Sequence, residues 1–260
     1  MRKVFLLILA IGIFSCGDDN EVFQIDCLST NLQSDVIAFY PFNNGSLADQ
    51  SANGNNLSNS TTAIPTSDRN GNTTCAYQFD NSPGNDEFLT TTTTNFLDGL
   101  NEFSISIWYQ PMDLNRDGGD FEVLLSRGDG TSCPNKNGEW SVSLYDCRRA
   151  VFGHDNSVWA EVETDISSTG CQGEVVELTD KWHHVVAVKN NDEYKIYFNG
   201  NLNETATGDA NCSNFNAAID LGNLFIGKRY LGKIDDVIIF NREVTSSEVT
   251  ELYELDGCCQ

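Results

Sequence analysis

The chain has 260 residues, 40% of them apolar, enough for a sizeable core, and all-β sandwiches of about 200–250 residues commonly fold as one domain. Fifteen Lys and Arg stand against 38 Asp and Glu, a formal charge of −23, which argues against nucleic acid, itself a polyanion, as a partner. Such acidity suits a self-repelling surface or one that gathers divalent cations, and composition alone does not separate the two.

Residues 1–15 read as an export leader: Arg2 and Lys3, an apolar run from Val4 to Phe14, then Ser15. The run is too short to cross a bilayer, which takes about 20 residues of helix. Ile13-Phe14-Ser15-Cys16 resembles the lipobox of bacterial lipoproteins, which implies a diacylglyceryl group on the Cys16 sulfur; a plain secretory signal is the alternative. Gly17-Asp18-Asp19-Asn20-Glu21 resembles the acidic tag that sends lipoproteins of some Gram-negative bacteria to the cell surface, which implies an outer-membrane, surface-exposed anchor. Residues 16–33 are polar without clear periodicity and read as a lipidated tether, leaving 34–260 as the domain.

With Cys16 lipidated, eight of the nine cysteines remain, an even number in a compartment where disulfides persist. Adjacent Cys258 and Cys259 are expected to bond to different partners. Cys27 is a natural one, because the two ends of a sandwich chain often lie close together. Cys133, Cys147, Cys171 and Cys212 fall in polar, turn-rich stretches and read as loop staples. Thiolate metal ligation needs paired spacings such as C-x-x-C, and none occurs.

From residue 35 the chain is a series of short runs separated by Gly, Asn, Asp and Ser clusters. Strands are expected over residues 36–42, 76–79, 103–109, 123–126, 140–145, 184–189, 194–198, 224–226 and 234–240. In the third run Phe103, Ile105, Ile107 and Tyr109 share one face while Ser104, Ser106, Trp108 and Gln110 share the other, the pattern of a sheet with one face on a core. The polar tracts 58–74 and 90–94 are expected to be loops or edge segments. Asn199-Gly200-Asn201 suits a tight turn with positive φ. Thr245 and Glu248 have capping-box spacing ahead of Val249, Leu252 and Leu255, which predicts a C-terminal helix. No long periodic helix alternates with the strands, so a parallel α/β fold is not expected. The expectation is an all-β, antiparallel two-sheet sandwich with one short C-terminal helix.

The strand residues also carry a family resemblance. Val36-Ile37-Ala38-Phe39-Tyr40-Pro41-Phe42 is followed by Ala48-Asp49-Gln50-Ser51, and Asp68-Arg69-Asn70-Gly71-Asn72 precedes Ala76-Tyr77-Gln78-Phe79. Trp182-His183-His184-Val185 then precedes Tyr197-Phe198-Asn199-Gly200, and Gly232-Lys233-Ile234-Asp235-Asp236-Val237 closes the set. In this order the pieces are similar to laminin-G-like jelly-roll domains of the concanavalin A-like lectin/glucanase superfamily. The resemblance implies a jelly-roll sandwich but is far less specific for function, because that architecture carries lectins, adhesion modules, spacers and glycosidases alike. It also implies a structural calcium ion where an aspartate of the last strand meets loops near the first. Asp235 and Asp49 match those positions, and the Asn-rich loops of 43–55 would supply further oxygens, since calcium takes about six to eight. The alternative is that Asp235 accepts backbone hydrogen bonds and Asp49 caps a turn.

Other candidate chemistry is weaker. Asp113-x-Asn115-x-Asp117-Gly118 begins like a calcium loop, but its twelfth position is Leu124 rather than a bidentate Glu, so a hairpin loop is expected. His183 and His184 are consecutive on a strand and point to opposite faces, which predicts packing or hydrogen-bonding roles and not one shared ion. Glu161, Glu163 and Asp165 alternate along an extended segment, yet their order departs from the Glu-x-Asp-x-Glu of sandwich glycosidases, and catalysis is not expected. Neither a nucleophile elbow nor a phosphate loop occurs. Trp159 lies among polar residues and is the candidate to stack on the C–H face of a sugar, whereas Trp108 and Trp182 lie in framework motifs. The expected function is a non-catalytic surface module for a glycan or a surface protein. A glycoside hydrolase or polysaccharide lyase, and a structural partner in a surface complex, are the alternatives.

Overall fold

The computed structural model of the chain describes residues 24–91, 93–113, 121–128, 136–145, 147–154, 158–161, 176–207, 216–219 and 222–259, of which 136–137, 154, 158–161 and 216–219 by backbone alone. In chain order the first strands are β1 (Val36–Tyr40), β2 (Ile64–Thr66), β3 (Ala76–Asp80), β4 (Leu89–Thr91), β5 (Glu102–Pro111), β6 (Glu122–Arg127), β7 (Lys136–Asn137) and β8 (Trp140–Tyr145). Then come β9 (Arg149–His154), β10 (Val158–Glu161), β11 (His183–Asn190), β12 (Glu193–Phe198), β13 (Asn201–Thr207), β14 (Asn216–Ile219), β15 (Leu224–Ile226) and β16 (Leu231–Phe240), followed by the helix α1 (Ser246–Glu254).

Two antiparallel sheets face each other. The larger runs β13-β12-β11-β5-β16-β3-β2, with β1 also paired to β16, and the smaller runs β10-β9-β8-β6-β15-β4. All nine strands expected from the sequence are present. The short strands β2 and β4 lie at sheet edges; β2 falls within, and β4 overlaps, the tracts read as loops or edge segments. Asn199 (φ 47°) and Gly200 (φ 79°) turn β12 into β13, as a two-residue hairpin with positive φ at both central positions requires.

The alternation on β5 sends Phe103, Ile105, Ile107 and Tyr109 into the main core, where they meet Leu124, Val142 and Phe152 of the facing sheet. The other face of the large sheet, to which the alternation assigns no partner, is buried as well. A second cluster covers it, in which Ile25, Leu28 and Leu32 from the N-terminal segment and Val249 and Leu252 from α1 pack on Val186, Val188, Ile238 and Phe240. The unbroken apolar runs of β11 and β16 fit this arrangement, because a strand buried on both faces loses its alternation. Residues 25–32, read from the sequence as tether, therefore belong to the folded unit. Their polar spacing hid three buried side chains that have no strand or helix period of their own.

Two disulfides clip this outer layer: Cys27–Cys258 and Cys75–Cys259. The adjacent cysteines bond to different partners and Cys27 is one of them, as the sequence suggested. The helix begins as predicted, with Thr245 Oγ1 accepting from Glu248 N (3.3 Å) and Glu248 Oε2 accepting from Thr245 N (2.7 Å).

Candidate ligand site at the first strand

The two aspartates read as calcium ligands lie in separate hydrogen-bond networks. On β16 the register to β5 slips between Asp235 and Ile238, so that one residue more stands on β16 than on its partner, and Asp236 adopts φ 41°. Consecutive strand residues normally point to opposite faces, but this bulge turns both carboxylates toward one guanidinium. Arg69 Nη1 donates to Asp235 Oδ2 and Asp236 Oδ2, each at 2.7 Å, and Nη2 donates to Leu255 O at 3.0 Å. Cys258 N also donates to Asp236 Oδ2 (3.2 Å). The guanidinium lies 4.5 Å from the Trp108 ring centroid, and Trp108 stacks on His184 (4.9 Å) and on Tyr253 (5.6 Å). Arg69 thus ties the last strand, the chain end and the outer face of the large sheet together.

Electrostatics in this knot follow from burial. Burial, then the neighbouring Asp236, holds the Asp235 carboxyl well above the usual carboxylate range, while Arg69 opposes the shift. Asp236 is also pushed up, again chiefly by burial and against Arg69. Its Oδ1 and that of Asp235 are buried without a hydrogen-bond partner, which adds to the cost of keeping both carboxyls charged. His184 Nε2 lies 2.8 Å from Ser106 Oγ, and burial, followed by the charge of Arg69, lowers its pKa to about 3, so it is neutral. His183 lies on the opposite face, its Nε2 2.8 Å from Leu178 O. The pair divides as the strand geometry required.

Asp49 has a different task. Its Oδ1 accepts from Phe39 N (3.0 Å) and Ser51 N (2.9 Å), and its Oδ2 from Ser51 Oγ and Asn55 N (2.9 Å each). Four donors occupy both oxygens, so the carboxylate closes a loop onto β1. Gln50 N then donates to Phe39 O (2.8 Å), which fixes Gln50 beside the strand. The donor sets do not fit calcium as the sequence arranged it. A guanidinium already faces Asp235, Asp49 is saturated elsewhere, and no three His, Cys, Asp or Glu among the described residues converge on a metal position. EDTA or millimolar calcium is accordingly expected to leave the thermal midpoint unchanged. An ion held at 100 times its Kd would add about 2.7 kcal/mol, or roughly 5–10 °C, and such a shift in differential scanning fluorimetry would restore the metal.

What Asp49 positions is the wall of a cavity of about 110 Å³ at the end of β1. Phe39, Pro41 and Cys258, all buried, form its floor. Gln24, Asp26, Asn43 and Gln50 form a more exposed polar rim. Asn43 opens a short 3-10 turn, Asn43–Gly45, whose geometry is fixed from several sides. Gly45 N donates to Thr74 O (2.7 Å), Tyr77 Oη donates to Gly45 O (2.8 Å), and at φ +74° a Cβ on Gly45 would lie 2.8 Å from Pro65 Cγ. Floor and rim come from the N-terminal segment, β1, the Asp49 loop and the chain end, joined by the Cys27–Cys258 bond.

Comparison with known proteins then places the chain. A family model described as the concanavalin A-like lectin/glucanases superfamily, of laminin-G type, matches residues 83–250. The chain belongs to this family. Among solved structures, this laminin-G-like chain resembles domain 4 of AbnA, a GH43 extracellular arabinanase from Geobacillus stearothermophilus, determined in complex with arabinotriose. That match has TM-score 0.56 and 18% identity, and covers 84% of this chain and 98% of that one. It also resembles botulinum neurotoxin type C, from a study of its interaction with two ganglioside molecules (TM-score 0.62, 16% identity, 86% of this chain, 51% of that one). The binding domain of botulinum neurotoxin DC in complex with rat synaptotagmin II is a third (TM-score 0.63, 15% identity, 85% of this chain and 51% of that one). The chain spans about half of the toxin structures. No curated protein sequence matches it.

Within the laminin-G-like frame some sequence candidates lie outside the description. Cys16 and the acidic tag do, as do Glu163, Asp165 and most of the 113–118 loop; Trp159 and Glu161 are placed by backbone only, on β10. Sequence reasoning passed over Arg69, Asp236 and the whole cavity. An Asp-Asp doublet inside an apolar strand was the available signal for the first two, because buried carboxylates require a partner. For the cavity no local signal exists, since its polar residues are gathered by topology and by a disulfide.

Proposed function

We propose that this chain is a lipid-anchored, non-catalytic glycan-binding module of the cell surface that uses the cavity at the end of β1. One observation carries the reading: a buried apolar floor lies beside a rim of three amides and a carboxylate. Sugars present C–H patches edged by hydroxyl donors and acceptors, and such a surface answers both. The arabinotriose complex of the arabinanase domain and the ganglioside interaction of the toxin support it by analogy of fold, an associational warrant. The Glu-x-Glu-x-Asp order at 161–165 speaks against a glycosidase on this frame. No helix among the described residues is long and apolar enough to cross a membrane. The anchor proposed is the lipid on Cys16, supported by the lipobox-like Ile13-Phe14-Ser15-Cys16. On a glycan array the full-length protein is expected to retain a defined set of oligosaccharides equally with and without EDTA. Silence across the array in both conditions would remove the lectin reading.

A further inference from the structure

Three properties of the cavity narrow its ligand. The first is size. At about 110 Å³ it lies well below the roughly 300–1,000 Å³ of clefts that bury a whole small-molecule ligand, so it suits one substituent of a sugar rather than an oligosaccharide. The second is polarity across its depth: a substituent that fills it meets Phe39, Pro41 and Cys258 below and amides at the rim, so it must carry an apolar tip on a polar stem. The third is an unpaired acceptor. Asn43 Oδ1 is buried with no hydrogen-bond partner. Turning that amide about χ2, a soft and roughly two-fold torsion, exchanges its oxygen and nitrogen and so brings the oxygen from the buried side toward the rim, where it can accept from a ligand N–H.

Resting on the glycan-binding reading, we propose that the cavity takes the acetamido group of an uncharged 2-acetamido-2-deoxy sugar. Its methyl lies on the floor, its N–H donates to the Asn43 or Asp26 oxygen, and its carbonyl accepts from the side-chain amide of Gln24 or Gln50. The ring stays outside, against the rim. Asp26, on a chain of net charge −23, repels sugars that carry a carboxylate or sulfate, which sets neutral acetamido sugars apart from acidic ones. A hydroxyl at the same ring position supplies the donor but leaves the floor facing water, so it binds less well.

Ligand-observed saturation-transfer NMR and titration of the full-length protein with chitobiose, cellobiose and fucose test this. Expected are strong saturation of the acetyl methyl protons and chitobiose binding about tenfold or more tighter than cellobiose, equivalent to about 1.4 kcal/mol. Asn43→Ala and, separately, Gln24→Ala in the exposed wall are each expected to weaken chitobiose several-fold at an unchanged thermal midpoint. Equal binding of chitobiose and cellobiose, or a preference for the methyl group of fucose, would overturn the acetamido assignment while glycan binding stood. An acetamido preference untouched by both substitutions would overturn the location. Loss of all glycan binding, on the array as well, would take the functional reading down with it.

Discussion

Replacing Arg69 by methionine is expected to destabilise the fold by about 3–5 kcal/mol, the cost of stranding buried charge when its partner is removed. An exposed ion pair contributes only about 0–1 kcal/mol, but Arg69, Asp235 and Asp236 have side chains 7%, 1% and 3% exposed, so solvent cannot take over the lost interactions. Methionine keeps much of the stem that packs against Trp108, which confines the change to the guanidinium. Urea unfolding of the variant gives the measurement, and a loss below about 1 kcal/mol would mean that the two carboxylates are held by something else. Adding Asp235→Asn and Asp236→Asn to Arg69→Met is expected to recover part of the loss, since the neutral amides no longer need a cation.

The same variant has a pH signature. In the parent both aspartates have folded-state pKa values raised above the ordinary 3.8, chiefly by burial, so above that pH the folded chain binds more protons than the unfolded one. Their contribution is therefore largest at low pH and is lost as pH rises through the folded values. Arg69 lowers both values, so its removal raises them further, and the deficit of Arg69→Met is expected to be greatest at neutral pH and to shrink toward pH 4. His184 contributes with the opposite sign. Its pKa, depressed to about 3, makes its share of stability complete above about pH 6.5 and lost as pH falls toward 3. Arg69 contributes to that depression as well, so the variant is also relieved of part of the acid penalty, and both effects narrow the gap in the same direction.

The period-two runs reported the two sheets faithfully because burial of one face is a local constraint on each strand: Phe103, Ile105, Ile107 and Tyr109 can be read without knowing what they meet. The capping box at Thr245 was legible for the same reason. Long-range assignments were harder. Asp235 was read by position as an ion ligand, whereas a β-bulge paired it with Asp236 on an arginine 166 residues earlier in the chain, and nothing in the local pattern announces a bulge. Asp49 was placed correctly in a loop beside the first strand. Its four hydrogen bonds from backbone and hydroxyl donors match the turn-capping alternative that the sequence left open beside calcium. The polar look of residues 25–32 concealed a covering layer, since three apolar side chains in eight residues suffice when a disulfide aligns them.

That dependence makes the Cys27–Cys258 bond the second large lever. Ile25, Leu28 and Leu32 contribute about 1.5–3 kcal/mol each by burial, whereas ordering a residue's backbone costs about 1–2 kcal/mol, so the N-terminal segment does not hold itself in place by packing alone. The bond closes a loop spanning 231 residues, and removing it is expected to cost about 2–5 kcal/mol. The loss should be local before it is global. In Cys27→Ser, Cys258→Ser, amide exchange is expected to rise first across residues 24–34 and around the chain end, while β5, β8 and β11, held by the main core and by their ladders, keep their protection at low urea. Because Gln24 and Asp26 form one wall of the cavity and Cys258 part of its floor, glycan affinity should fall together with protection of residues 24–34. Uniform loss of protection across both sheets would show instead that the outer layer and the sandwich fold as one cooperative unit.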